Sequence, residues 1–445
     1  MFPVNRRAAS ELLLLLTAAC AMFWAILRAS VQSITIDEAD TYLAYGSSEL
    51  KMIWYPSTNN HILNSALIWI LTHVFGTSQL TVRLPALIGA FLYLALCYFF
   101  CRMMTAAFIP RLLIFICLAF NPFIFDYLVA ARGYGLAGAL LLAAIAVPVR
   151  HSVHGGPTLR TCCIAASLAL GLSFTANFSF ALADAAAFVA VLLWALRRRN
   201  AEPFGEIAAW CILPGLAVAA AMCAYPLAHW RPEDAFGESA HSLREMAQSV
   251  IDNSLFQLDA PFKGLDFLKP FLIPALAILC LCQLIATSID GSWLHDRQTR
   301  RLGKFAAAAA GIAALTVLMH WAAFHLVKLP LPLGRKAIYL VPLATLAAGA
   351  IAAVPPRSLV ATWLHRALLA GFACLACYFL FCLRLNYFQD WPWGAEVKNA
   401  YPVLARYNHS SGITDVGTSW YYVSSLNFYR VASGKETLAE FVAMT

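Results

Sequence analysis

The chain has 445 residues, 61% of them hydrophobic and only 12% charged, with a mean hydropathy of +0.70. A soluble domain carries about 25% charged residues, so a soluble globular protein is excluded and the bilayer is the solvent. The net charge of +8 is gathered at the ends of apolar runs, where it orients helices and does not recruit nucleic acid.

At the N-terminus, Asn5-Arg6-Arg7 precedes an apolar run that continues to about Leu27. That run is too long for a cleaved signal and reads as an uncleaved signal anchor. Further spans are expected near 80–101, 111–127, 133–150, 159–176, 178–197, 205–229, 268–288, 304–327, 336–354 and 361–384, after a first at 11–31. Each approaches the ~20 residues that cross a hydrocarbon core. Backbone groups must be satisfied within each span, so helices are predicted. The stretch Ile62–Phe75 is short for a crossing and suits a re-entrant or membrane-surface helix. The 13 cysteines all fall in apolar segments and read as small buried hydrophobes.

Charge bias selects a topology. With the N-terminus inside and 62–75 not crossing, the cytoplasmic loops are Arg102–Arg111, Arg150–Arg160, Arg197-Arg198-Arg199, His295–Lys304 and Pro355-Pro356-Arg357. Nearly every basic cluster then lies inside, as the positive-inside rule requires. The expectation is an all-α polytopic membrane protein with about eleven transmembrane helices, juxtamembrane helices in a first external loop (32–79), and a transmembrane module ending near 385. Outside lie the turn Asp126–Arg132, the loops Arg231–Phe267 and Lys328–Arg335, and a membrane-associated C-terminal segment, 386–445. In that segment Trp391-Pro392-Trp393 suits an interfacial anchor, and Gly412–Tyr429 alternates enough for a strand and a helix.

The external face carries the chemistry-bearing residues. Asp37, Glu38 and Asp40 follow the first span within Ile36-Asp37-Glu38-Ala39-Asp40. A helix N-terminus accounts for such acids equally well, but a carboxylate there can also act as general base toward a hydroxyl; Asp37, first off the span, is the better candidate, with Glu38 orienting it. Asn59-Asn60-His61 opens the short helix, where capping and contact with a phosphate or sugar hydroxyl compete. Arg83, Arg132 and the pair Arg335-Lys336 lie at external helix ends against the positive-inside bias, as an anionic ligand would explain. Asp126 and Asp40 are candidate second acids, Asp126 alternatively a structural partner of Arg132, and Asp184 is a weaker candidate. No Walker loop, nucleotide fingerprint or zinc motif is present.

The acidic pair, Asn60-His61 before a short helix, Arg83-Leu84-Pro85, the turn Ala131-Arg132-Gly133-Tyr134 and the late Arg335 resemble the GT-C membrane glycosyltransferases. The nearest branch is the protein O-mannosyltransferase and aminoarabinose transferase superfamily. That resemblance implies a GT-C-like fold, a sugar donor on polyprenyl phosphate, and transfer with inversion to a lipid, glycan or protein hydroxyl. It implies Asp37 as base and binding of phosphate or sugar by Asn60, His61, Arg83, Arg132, Tyr134, Arg335 and Lys336. A bacterial inner-membrane enzyme facing the periplasm is expected. Ala130 stands where the family often has an acid, so Asp126 would have to substitute, and a divalent metal ion is the one cofactor left open. The alternatives are a transporter or flippase of a lipid-linked saccharide, which would place charges mid-span, and a surface-polysaccharide polymerase or ligase, which would need a longer late loop.

Overall fold

The computed structural model describes residues 6–47, 49–199, 202–230, 238–256, 264, 267–434 and 438–444. Helix α1 (Arg6–Val31) leads into the short α2 (Ile36–Thr41), and α3 (Ile62–Phe75) precedes α4 (Gln79–Met104). Then follow α5 (Phe108–Ala119), α6 (Pro122–Val129), α7 (Tyr134–His154), α8 (Leu159–Ala176), α9 (Ala181–Leu196) and α10 (Phe204–Ala228). The chain continues through α11 (Leu243–Ser254), α12 (Lys269–Ile289), α13 (Arg297–Val327), α14 (Leu340–Ala352), α15 (Leu359–Phe381), α16 (Val397–Ser411) and α17 (Trp420–Ser433). Two short strands, β1 (Gly417–Thr418) and β2 (Val442–Ala443), pair in parallel, Gly417 opposite Val442.

Among the described residues nine helices are long and apolar enough to cross a bilayer: α1, α4, α7 to α10, α12, α13 and α15. Two expected spans differ. Residues 111–127 form α5 and α6, bent by 57° at their break, because Pro122 donates no backbone N–H and Asn121 instead caps α6, accepting from Phe123 N and Ile124 N. The 336–354 span shortens to the 13-residue α14, because Gly334–Ala337 tighten into a 3-10 turn. The expected loop His295–Lys304 is mostly helix, since Asp296 and Thr299 form a capping box that starts α13 at Arg297.

Lipid drives no helix association by itself, so close packing does. At Gly89 a Cβ would lie 2.6 Å from Leu136 N, which brings α4 against α7. Between α8 and α10, Gly215 N donates to Ser167 Oγ at 2.9 Å. Large aromatics such as Tyr93, Phe100, Phe115, Phe123 and Phe372 fill the core, while Leu12, Leu15 and Phe23 of α1 and Phe271, Ile278 and Leu281 of α12 point outward as lipid-facing side chains.

The strand and helix expected over Gly412–Tyr429 are β1 and α17. Helix α17 docks on the α2 region: Phe428 meets Tyr42 edge-on at 5.4 Å, and Tyr429 Oη accepts from Ile34 N at 2.9 Å. Residues 231–237, 257–263 and 265–266 of the expected loop Arg231–Phe267 lie outside the described residues, as does Asn5 of the basic N-terminal motif.

Candidate active site

The acidic stretch is a helix start. Thr35 caps α2 by accepting from Glu38 N, and the Glu38 carboxylate accepts from Thr35 N, closing a capping box. Consecutive residues on a helix diverge by about 100°, so Asp37 and Glu38 point different ways. Glu38 turns inward and is 0% exposed. Its oxygens take Arg83 Nε at 2.8 Å and Arg83 Nη2 at 2.7 Å, and Ala131 N donates at 2.8 Å. Arg83, also 0% exposed, donates further to the carbonyls of Ala29, Gln32 and Ser33. Burial pushes the Glu38 carboxyl up, but the Arg83 charge and these bonds outweigh it and hold it below the ordinary value. This pair staples α1, α2, α4 and the turn before α7 together.

Asp37 keeps a partly exposed side chain, at 18%. Arg335 Nη1 lies 2.8 Å from its Oδ2 and Arg132 Nε lies 3.8 Å from the same atom. Neither contact is an aligned hydrogen bond, so Asp37 Oδ2 and Arg132 Nε are buried without one. Burial raises the Asp37 carboxyl; the Arg132 and Arg335 charges and the close approach of Arg335 and Trp391 more than offset this, and it sits below the usual range. It is therefore ionised at neutral pH. Asp40 looks toward Ser424 of α17, and burial raises its carboxyl.

Arg132 comes from the turn between α6 and α7, where Gly133 takes φ +74°. A Cβ at Gly133 would strike the carbonyl oxygen of Ala176, so the turn requires glycine. Arg132 donates to Thr41 Oγ1 at 2.6 Å, to Asp37 O at 3.2 Å, and to Asn59 Oδ1. Asn60 is occupied as scaffold: its amide donates to Ile53 O and Tyr55 O, and its oxygen accepts from Ser65. His61 is 4% exposed, meets Tyr134 edge-on at 5.8 Å, and both its ring nitrogens are buried without a partner. Burial, then the Arg132 and Arg335 charges, push its pKa well below the ordinary value, so the ring is neutral.

Arg335 sits on the 3-10 turn before α14, braced by α11: Gly334 N donates to Ser249 Oγ at 2.9 Å, and Ala240 N donates to Leu331 O at 3.0 Å. Its guanidinium lies over the Trp391 ring at 5.3 Å. Lys336 turns away and donates to Glu238 O at 2.6 Å.

Several expectations change: Glu38 and Arg83 bond each other in the interior, Asn60 bonds the backbone of Ile53 and Tyr55, and Lys336 is engaged by Glu238 O. Asp126 pairs with Arg28 at 2.6 Å, not with Arg132, because α6 ends at Val129 and turns Arg132 toward α2. Trp391 is no interfacial anchor; it is 5% exposed and packs against Tyr127 at 5.9 Å, while Trp393 stays outside at 43% exposed. Asp390, Tyr127 and Thr41 reach the site without having been singled out in the sequence, and Trp391 reaches it in place of the anchor role expected. The acid and aromatic of Asp390-Trp391, just after a span, were a signal of the same kind as Asp37. Among the described residues no three His, Cys, Asp or Glu side chains gather as metal ligands, and Asp37 faces guanidiniums; this donor set does not fit a divalent ion.

No protein-family model matches the chain, and no curated protein matches it. Among solved structures it is similar to ArnT from Cupriavidus metallidurans in the apo state, with a TM-score of 0.57 at 13% identity over 95% of this chain and 84% of that one. The same ArnT bound to undecaprenyl phosphate gives a TM-score of 0.53 at 11% identity, covering 97% and 89%. The chain therefore shares the fold of ArnT along most of its length.

Proposed function

We propose that the protein is an inverting glycosyltransferase that moves a sugar from polyprenyl phosphate to a lipid, glycan or protein hydroxyl on the non-cytoplasmic face. One observation carries the reading: in an ArnT-like fold, the ionised, partly exposed Asp37 has two guanidiniums on one of its oxygens and buried polar atoms left unpaired around it. Unpaired buried polar groups are costly, and a polar ligand bound beside them removes that cost. ArnT has been seen with undecaprenyl phosphate, and a lipid phosphate suits Arg335, whose side chain keeps 28% exposure.

The donor phosphate draws Arg335, helped by Arg132, off Asp37, which frees the carboxylate. Asp37 then takes the proton of the acceptor hydroxyl as its oxygen attacks the anomeric carbon. The bond from that carbon to the phosphate oxygen breaks, and its electron pair leaves with polyprenyl phosphate. Guanidiniums aimed at the departing charge supply the electrostatic stabilisation that often dominates such catalysis. Neutral His61 and Tyr134 line the same wall. Beside them Tyr127, Tyr134, Phe180, Ile338, Tyr339 and Pro342 line an apolar crevice of about 20 Å³, which has to widen to take an isoprene unit. The basic clusters on the opposite loops support the assigned face.

Native mass spectrometry of the purified protein with undecaprenyl phosphate, paired with mass spectrometry of cell-envelope glycans with and without the protein, tests the reading. Lipid-phosphate binding and one glycan lost on deletion are expected. Translocation of an intact lipid-linked saccharide without any covalent product would overturn it in favour of a flippase.

A further inference from the structure

The segment 386–396, between α15 and α16, crosses the site as a strap pinned along its length. Gln32 Nε2 donates to Tyr387 O at 2.9 Å, and Gln389 N donates to Asp126 Oδ2 at 2.7 Å. Ser33 Oγ donates to Ala395 O at 2.5 Å. The Phe388 ring lies 5.2 Å from the Arg28 guanidinium and 5.1 Å from that of Arg83. These contacts leave Asp390 and Trp391 little freedom. Tyr127 Oη donates to Asp390 Oδ2 at 2.5 Å, and the same tyrosine ring touches Tyr134 at 4.8 Å. The Asp390 carboxylate is thus built into the wall that carries Arg335 and Tyr134.

A carboxylate beside a phosphate-binding arginine is the wrong charge for the phosphate and weakens its binding by like-charge repulsion. Its placement needs another use, and no hydrogen bond among the described residues reaches its second oxygen. Carboxylates accept strong, charge-assisted bonds from hydroxyl groups. We propose that Asp390 is a specificity residue for the transferred sugar, its Oδ1 accepting a hydrogen bond from a sugar ring hydroxyl while Tyr127 holds Oδ2. This rests on the lipid-linked donor reading above. Burial raises the Asp390 carboxyl, against the Tyr127 hydrogen bond and the Arg335 charge, so a hydroxyl donor is a favourable partner for its ionised form.

The test separates phosphate binding from transfer. Undecaprenyl phosphate, which has no sugar, is the probe for native mass spectrometry in detergent; product is read as the envelope glycan in cells carrying each variant. Asp390→Asn should bind undecaprenyl phosphate as well as or better than the wild type, while product falls about ten- to hundredfold, the scale of a hydrogen bond to a charged group. Asp390→Glu, which keeps the charge, should restore part of it, and this guards against a folding defect in the amide variant. Binding and product lost together in both variants, or product unchanged in Asp390→Asn, would overturn the inference. Failure of the wild-type protein to bind undecaprenyl phosphate would refute the donor reading itself and the inference with it.

Discussion

Replacing Arg83 with leucine removes five hydrogen bonds at once: two to Glu38 and one each to the carbonyls of Ala29, Gln32 and Ser33. Both side chains are 0% exposed, so Glu38 is left as an uncompensated buried charge. Breaking a buried pair in this way costs about 3–5 kcal/mol, and each orphaned carbonyl adds to that at about 1–3 kcal/mol, without strict additivity. The thermal unfolding midpoint in detergent, followed by tryptophan fluorescence, should fall by about 5 °C or more. A pH series sharpens the test. In the wild type the folded Glu38 carboxyl lies below its ordinary value, so its stabilisation is complete above the unfolded pKa and is lost as pH falls through the folded one. In the variant, burial without the guanidinium raises that carboxyl, and the variant's deficit should shrink as pH drops from roughly 8 toward 5, into the carboxylate range. A midpoint within about 1 °C of the wild type would refute the structural assignment of this pair.

Asp37→Asn should reduce transfer by about 10²–10⁴-fold, the usual contribution of a general base, with a smaller fall in the unfolding midpoint than Arg83→Leu because the Asp37–Arg335 pair keeps some exposure; full glycan product from this variant would remove Asp37 from the base role. Arg335→Ala should weaken undecaprenyl phosphate binding by about ten- to hundredfold with Arg335→Lys intermediate, since a lysine keeps the charge but not the fork; equal binding by all three would show that the phosphate sits elsewhere. Gly133→Ala forces φ +74° on a residue with a Cβ, costing about 1–2 kcal/mol before its clash with Ala176 O. It should lower both the midpoint and product by displacing Arg132, and wild-type values for both would show that the turn tolerates a side chain.

Much of the architecture could be read from hydropathy because lipid imposes a simple demand: about 20 apolar residues per crossing, hydrogen-bonded within themselves. The spans at 80–101, 159–176 and 268–288 correspond to α4, α8 and α12 on that ground alone. Where a span failed, a local backbone effect intervened: Pro122 at the α5–α6 break and Gly334 before α14. Hydropathy averages over such single residues. Site residues divided in the same way. Asp37, Arg132 and Arg335 stood out as charges at the ends of apolar runs, whereas Asp390, though it too follows a span, was passed over in a polar tail and Trp391 read as an anchor.

The sequence by itself determined that the chain is a helical membrane protein, that one face of it concentrates unusual charge, and that Asp37 heads that charge. Only the tertiary structure decided the roles within it. Glu38 and Arg83 look like their neighbours in one dimension, but they lie 2.7 Å apart with no exposure and form the staple beneath the site. Arg335 and Asp390, far along the chain from Asp37, join it because the turn before α14 and the strap after α15 return to the start of α2. Charge pairing over such separations depends on distance in space, to which local composition is blind.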